Sequence, residues 1–253
     1  MTSDNQPYGT VLLKGAKILD FLSASDEPQP LQMIAKQTEL TNSTALKILD
    51  TLILIGYVHK DLELKKFSLG TSLIRYAIKA MNQLEIKQIA QPHLEELQRN
   101  TNETVHLGIL DQTSVVYVTK IESKNPVCLY SKVGKTIPLY CSAMGKAILA
   151  DQSDAEINQY LATNSLVKIT NKTITTKSAF NTEIDQIRER GYAFDDSEHE
   201  EEIFCVGASI TLNSKNYGAL SVSVPTYRLT DEVLQNMIAS IKKCKASIIN
   251  DLQ

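Results

Sequence analysis

The first side chains that could perform chemistry lie in the C-terminal half of the chain. Residues 195–202 are mostly acidic and include His199, and carboxylates with imidazole can hold a divalent metal ion. Cys141 could act as a nucleophile with His199 as its base, and Ser142 with Lys146 is a second pair of this kind. Consecutive carboxylates more often face water, and neither pair stands in a recognisable catalytic motif. We expect no metal, no cofactor and no enzyme, with a small-molecule-modifying enzyme using Cys141 or Ser142 as the alternative.

A second group of side chains could read DNA. They lie on the face of a helix near residue 45 that is opposite its apolar stripe, and on a hairpin that follows. A recognition helix presents such groups to base edges, where Asn pairs with adenine, Lys reaches guanine or phosphate, and Leu touches a thymine methyl. The candidates are Asn42, Ser43, Thr44, Leu46, Lys47, Lys60, Lys65 and Lys66. The alternative is that they only cap a helix and cover a solvated face.

The charge balance gives this DNA-binding interpretation little support by itself. The net charge of the chain is −3, and residues 1–70 contain seven Lys, no Arg and eight acidic residues. Any positive charge that meets DNA must therefore be concentrated on one face, and the hairpin lysines are the candidates for it.

The elements that position these groups follow from the apolar spacing. Helical periods predict helices over residues 10–23, 31–37 and 42–55, and alternation predicts two short strands between residues 57 and 69. Thr41 is placed to cap the third helix, and Gly56 is placed to end it. Three helices followed by a hairpin is the order of a winged helix-turn-helix.

The rest of the chain predicts a linker and an α+β domain. Residues 71–100 are helical except at Pro92, where we expect one helix to end and another to begin. The first of these helices is apolar enough to pack against a second copy of the chain. Mixed strands and helices beyond residue 104 favour a domain built on an antiparallel sheet. The expected strands are 105–110, 115–121, 127–133, 192–195, 203–212 and 217–224, and the expected helices are 143–150, 154–163, 180–190 and 230–252.

The composition predicts where the protein is located and what state its cysteines are in. No apolar run approaches the length that crosses a bilayer, and residues 1–9 lack the order of a signal peptide, so we expect a cytoplasmic protein. The cysteines form no Cys-x-x-Cys pair, which argues against a zinc site or a disulfide framework and favours buried thiols. They are Cys128, Cys141, Cys205 and Cys244.

From about residue 11 to residue 252 the chain resembles the IclR family of bacterial transcription regulators. Residues 40–45 and 56–58 resemble its recognition helix and first wing strand. The blocks that resemble its effector domain are 103–107, 130–135, 138–147, 190–196 and 220–223. The resemblance implies a winged helix-turn-helix over residues 1–70, a dimerising linker helix over 71–91 and a GAF-like effector domain over 92–253. Dimers, often assembled into tetramers, would read palindromic operators.

The same resemblance implies an effector site. Ala143 and Met144 match positions whose backbone N–H groups, at a helix start, meet a ligand carboxylate. Asp195 matches an acidic position that contacts the ligand, and Leu129 matches an apolar wall of the pocket. Cys205, Ser221 and Ser223 match three further pocket positions. Strand periodicity also places the two serines on one face. The alternative is that the serines are small core residues, that Asp195 caps a loop and that Cys205 is a plain buried thiol.

These pocket groups suit a hydroxylated small carboxylate such as a sugar acid or keto acid. Residues 130–131, 138–140 and 225–228 look closest to the family branch that responds to 2-keto-3-deoxygluconate. The recognition helix departs from the family pattern at three positions. Asn42 stands where the family usually has a basic residue, Leu46 where it has His or Tyr, and Lys47 where it has Arg. The sequence thus favours a repressor of a catabolic operon whose operator differs from the family's usual ones. The alternative is a DNA-architectural protein that binds no ligand.

Overall fold

The computed structural model describes residues 9–125 and 129–253, and the chain divides into two compact units, the first ending at Gln83 and the second beginning at Leu84. Cys128, which the sequence predicts as a buried thiol, and the first part of the expected strand 127–133 lie outside the described residues. Among the residues described, no helix combines the length and the apolar character that a membrane span needs.

The first unit is a three-helix bundle with a small antiparallel sheet of order β1-β3-β2. Its elements are α1 (Thr10–Ala24), β1 (Gln29–Pro30), α2 (Leu31–Gln37), α3 (Asn42–Leu54), β2 (Val58–Lys60), β3 (Lys66–Leu69) and α4 (Ser72–Asn82). The core joins the apolar stripes of the first three helices to the hairpin, with Ile18, Ile34, Leu49 and Phe67 almost fully buried. The predicted winged helix-turn-helix is confirmed.

Two local signals act in this unit as the sequence predicts. The Thr41 hydroxyl accepts the backbone N–H of Thr44 at 3.2 Å and caps α3. Gly56 follows α3 with a φ of 76°, in the left-handed region that favours glycine. Strand β1 is not among the elements that the sequence predicts. It is an edge strand, where Pro30 needs no N–H to donate.

The second unit carries a six-stranded antiparallel sheet of order β6-β5-β4-β9-β8-β7. Its strands are β4 (Thr104–Asp111), β5 (Ser114–Ile121), β6 (Thr136–Pro138), β7 (Ala193–Asp196), β8 (Ile203–Leu212) and β9 (Lys215–Pro225). Its helices are α5 (Glu85–Thr101), α6 (Ala143–Ala150), α7 (Asp154–Thr163), α8 (Lys177–Arg190) and α9 (Asp231–Asp251). The predicted α+β class with an antiparallel sheet is confirmed.

The two faces of this sheet differ in chemistry. Helices α5 and α9 pack together over one face, to which the central strands contribute apolar side chains such as Leu107, Val206 and Val222. Helix α6 covers part of the other face and lies close to it. A Cβ atom on Gly207 would lie 2.9 Å from the backbone nitrogen of Met144, so glycine at this position of β8 lets the start of α6 approach the sheet.

Two sequence predictions about elements are wrong. The linker region breaks at Gln83 and Leu84, whereas Pro92 lies inside α5. Pro92 is exposed, and the packing of the buried face of α5, including Ala90 and Leu94, offsets the loss of one backbone hydrogen bond. In addition, residues 129–133 form no strand. Their polar groups bond to neighbouring elements instead of a ladder.

Candidate DNA-binding surface and ligand pocket

Helix α3 presents the predicted reading face to solvent. Asn42, Ser43 and Lys47 are exposed, whereas Ala45, Ile48, Leu49 and Leu52 form the buried stripe on the opposite side. Thr44 and Leu46 are half-buried. The hydroxyl groups at the helix start form one cluster, since Thr41 Oγ1 lies 3.1 Å from Ser43 Oγ and 2.9 Å from Thr44 Oγ1. The helix start therefore offers hydroxyl groups and a positive dipole end to a phosphate.

The wing is less uniformly basic than the sequence suggested. The Lys60 ammonium group lies 5.6 Å from the centre of the Phe67 ring, and Lys66 is half-buried, so Lys65 is the one fully exposed lysine of the three. The turn between β2 and β3 is built on Asp61, whose carboxylate accepts the N–H groups of residues 63 and 64 at 2.9 and 2.8 Å. At its tip Leu62 and Leu64 are 81% and 65% exposed. Two leucines at the wing tip are a feature that the sequence analysis missed.

In the second unit a row of polar side chains crosses four neighbouring strands on the face that α6 partly covers. Asp195 on β7 lies opposite Cys205 on β8, which lies opposite Ser223 on β9. Two residues further along, Gly207, Ser221 and His106 lie opposite one another on β8, β9 and β4. The Cys205 sulfur and the Ser223 hydroxyl are 3.1 Å apart. Strand register thus brings together predicted residues that are distant in sequence.

This polar row borders a narrow cavity of about 20 Å³. Of the predicted effector residues, Leu129, Asp195, Cys205 and Ser223 line it. Ser221 is not in the lining, and its hydroxyl lies 3.4 Å from His106 Nδ1. Ala143 and Met144 are buried beside Gly207 and are not in the lining. Sequence analysis missed eight lining residues, which are His106, Tyr117, Tyr130, Ser131, Ile137, His199, Glu200 and Ile203.

The start of α6 has its own set of hydrogen bonds. Ser142 accepts the N–H of Gly145 at 3.1 Å and donates its hydroxyl to the carbonyl of Pro138 at 2.9 Å. The first bond along the helix backbone runs from the Lys146 N–H to the Ser142 carbonyl. The N–H groups of Ala143 and Met144 precede that bond and are donors of the kind that binds anions.

His106 is the missed residue with the clearest chemistry. Its ring is buried, its Nε2 lies 2.8 Å from the Ser131 hydroxyl, and burial together with the nearby Lys120 charge lowers its pKa to about 3. The imidazole is therefore neutral near pH 7. A lone polar residue within the apolar segment 105–110 was the signal that could have identified it.

The pocket also holds two acidic side chains. Burial, and then the charge of Glu198, raise the pKa of Asp195 to about 7, although the Glu198 N–H donates to its carboxylate at 2.7 Å. Burial likewise raises the pKa of Glu200, whose two oxygens each accept the N–H of Tyr130 at 3.1 Å. No Lys or Arg is among the described residues that line this cavity.

Behind Asp195 lies a buried ion-pair network. The Lys146 ammonium group is 1% exposed, pairs with the Glu198 carboxylate and lies 3.6 Å from that of Glu183. Arg190 in turn bonds to Glu183 at 2.6 Å. Burial raises the pKa of Glu198. The network ties α6 and α8 to Glu198, which precedes the lining residues His199 and Glu200.

The alternative interpretations find little support in this geometry. The carboxylates of the acidic run have separate partners, as Asp196 pairs with Lys172 at 2.7 Å and Glu198 with Lys146. Within residues 9–125 and 129–253, no three His, Cys, Asp or Glu side chains form a group that could hold a metal. Burial raises the pKa of Cys141 to about 12, so its thiol stays protonated near pH 7.

Comparison with known proteins settles the family. Residues 11–62 match the IclR helix-turn-helix domain, and residues 78–250 match the C-terminal domain of the bacterial transcriptional regulator IclR. The chain belongs to the IclR family. Members of this family bind DNA and regulate transcription, and they are regulators and not enzymes.

Three similar proteins illustrate the relationship of this IclR regulator to its family. It is 33% identical over 231 residues to the HTH-type transcriptional regulator KdgR of Escherichia coli, covering 89% of this chain and 87% of KdgR. It is 34% identical over 224 residues to the regulator XynR of the same organism, covering 88% and 89% of the two chains. The crystal structure of IclR from Thermotoga maritima superposes with a TM-score of 0.72 at 31% identity, over 97% of this chain and 99% of that one.

Proposed function

We propose that this IclR regulator represses a catabolic operon in the cytoplasm, and that a small carboxylate metabolite bound in its second unit controls DNA binding. The observation that carries the proposal is the polar row from Asp195 to His106, which borders a cavity in an otherwise apolar domain. Polar groups that converge in an apolar setting are typical of small-molecule sites. A repressor needs only to occupy its operator, and the exposed reading face of α3 suits that role.

The ligand chemistry follows from the charges of the pocket. No Lys or Arg is among the described lining residues, so neutral donors would hold a ligand carboxylate. The candidates are serine hydroxyls and the N–H groups at the start of α6, which lies against Gly207 next to the polar row. Asp195, Cys205 and Ser223 are suited to hydroxyl or keto groups of the ligand. A sugar acid or keto acid resembling 2-keto-3-deoxygluconate provides both kinds of group.

The DNA contacts divide into two kinds. Asn42, Leu46 and Lys47 would read bases, since they occupy the open face of α3. Ser43, Thr44 and the wing residues Lys60, Lys65 and Lys66 would contact phosphate and fix the register of the protein on DNA. Because this helix offers no Arg, its affinity depends more on hydrogen bonding and methyl contact than on bidentate guanine recognition.

Helix α4 supports a homodimer or a tetramer of such dimers. It buries none of its residues, and Ile74, Tyr76 and Ile78 are 55%, 49% and 55% exposed. A strongly amphipathic helix without a buried face is expected to pack against a second copy. Two copies related by a twofold axis would read a palindromic operator.

The direct test is to select genomic fragments with the purified protein and sequence them. The proposal expects one palindromic motif upstream of genes for sugar-acid or keto-acid catabolism. Thermal unfolding with a panel of these acids then tests the pocket, since a ligand that binds the folded state raises the melting temperature. A protein with a purely architectural role would select fragments without a common motif and show no shift with any acid.

A further inference from the structure

The polar row ends on β4 at His106, whose two ring nitrogens are unequally bonded. Nε2 lies 2.8 Å from Ser131 Oγ, which is a normal hydrogen bond. Among the described residues, Nδ1 contacts Ser221 Oγ at 3.4 Å and Ser223 Oγ at 3.5 Å, both longer than is usual. A buried ring in the cavity wall therefore has one weakly satisfied nitrogen beside two of the predicted effector residues.

The protonation state of this ring limits what it can bind. A neutral imidazole presents one donor and one acceptor and carries no charge for a carboxylate. A ligand hydroxyl matches it, because a hydroxyl can donate or accept. The weakly bonded nitrogen is thus suited to a hydroxyl group, whichever tautomer is present.

Asp195 and His106 approach one cavity from the two ends of the polar row. They lie on β7 and β4, with β8 and β9 between them in the sheet. Both side chains line the same cavity. A ligand on this row can therefore contact His106 through one polar group while its other groups meet Asp195 or Ser223.

We propose that His106 determines effector specificity by hydrogen bonding through Nδ1 to a ligand hydroxyl. This inference rests on the proposed function of the pocket and narrows it to hydroxylated acids. Keto acids without a hydroxyl group, such as pyruvate, cannot make this contact.

The test measures binding of four named probes to the full chain by calorimetry. They are 2-keto-3-deoxygluconate and D-gluconate, which carry hydroxyl groups, and pyruvate and hexanoate, which do not. The wild-type protein should bind at least one hydroxylated acid more tightly than pyruvate. His106→Phe should weaken that binding roughly 5- to 150-fold, the loss expected for one buried hydrogen bond, and leave pyruvate binding unchanged.

Two amide variants identify the nitrogen that is used. His106→Asn places its amide near the former Nδ1 and should keep the preference for hydroxylated acids. His106→Gln extends its amide toward Ser131 and should lose that preference even though a bond to Ser131 remains. His93→Phe is the matched control, because it removes a half-buried imidazole that bonds to Asp251 at 2.7 Å and does not line the pocket.

The possible outcomes distinguish failure of the His106 proposal from failure of the proposed effector function. If the wild-type protein binds none of the four acids, the proposed effector function fails and the role of His106 fails with it. If the wild-type protein binds a hydroxylated acid and His106→Phe binds it equally well, only the role of His106 is overturned. Equal weakening of all probes would also overturn it. If His106→Phe does not fold, the contrast between the Asn and Gln variants decides.

Discussion

The buried ammonium group of Lys146 on α6 pairs with the carboxylate of Glu198, the residue that precedes His199 and Glu200 of the pocket lining. The same glutamate donates its backbone N–H to Asp195 at 2.7 Å. One ion pair therefore joins the helix start that would hold a ligand carboxylate to the acid that would meet a ligand hydroxyl. Removal of this pair should affect both the fold and the pocket.

Lys146→Met should destabilise the second unit by about 3–5 kcal/mol, because it leaves the Glu198 carboxylate buried without its cation. Urea unfolding measures this loss. The double variant Lys146→Met, Glu198→Leu should recover most of it, since no uncompensated charge remains. Lys172→Met is the control, because its pair with Asp196 is exposed on both sides and should cost less than about 1 kcal/mol. A loss as small in Lys146→Met as in this control would contradict the role of the pair.

The stability of the protein should fall as the pH rises through the range in which Asp195 ionises. Its pKa is raised to about 7 by burial, above the value of 3.8 for a free Asp, so the folded state holds a proton that the unfolded state releases. The contribution is fully present below pH 4 and is lost as the pH rises through 7. Asp195→Asn should therefore show a flatter decline between pH 4 and 7 in urea unfolding. An identical pH profile in the two proteins would rule this out.

Lys47→Ala and Asn42→Ala should each weaken operator binding by about 1–3 kcal/mol and relax specificity at one base position. Lys65→Ala, on the wing, should instead weaken binding to all sequences and reduce the salt dependence by about one counterion. Binding to a library of operator variants at several salt concentrations distinguishes the two effects. Uniform weakening by the α3 variants would show that they touch only phosphate.

Ile74→Asp together with Ile78→Asp should shift the protein from dimer to monomer. These residues lie on α4, which buries none of its side chains, and a charge there opposes burial against a second copy. Sedimentation equilibrium measures the change. Lys79→Asp is a control on the same helix that changes charge without removing apolar surface. An unchanged assembly in the double variant would place the dimer contact elsewhere.

Much of the first unit follows from local signals in the sequence. Thr41 caps α3 and Gly56 follows it as expected, because caps and left-handed turns depend on a few neighbouring residues. The break at Gln83 carries no such signal, whereas Pro92 carries a misleading one. Pro92 lies on the exposed side of a helix that packing holds together.

In the pocket, too, local sequence signals predict some features and not others. Strand alternation placed Ser221 and Ser223 on one face, but the position of His106 beside them depends on the register between β4 and β9. Register between strands that are more than a hundred residues apart in the chain is set by the whole sheet and not by local sequence. The lining residues Tyr130 and Glu200 lie 70 residues apart in the chain and are joined by the Tyr130 N–H, which donates to the Glu200 carboxylate, so no local pattern could reveal them.

The central claim is that a metabolite in the pocket changes the affinity of α3 for its operator. The most direct measurement is the dissociation constant of the full protein for its selected operator, with and without saturating 2-keto-3-deoxygluconate at fixed salt. Coupling between two sites of about 1–3 kcal/mol predicts that the ligand weakens operator binding roughly 5- to 150-fold. Equal affinity in the presence and absence of a ligand that binds the protein would contradict the account.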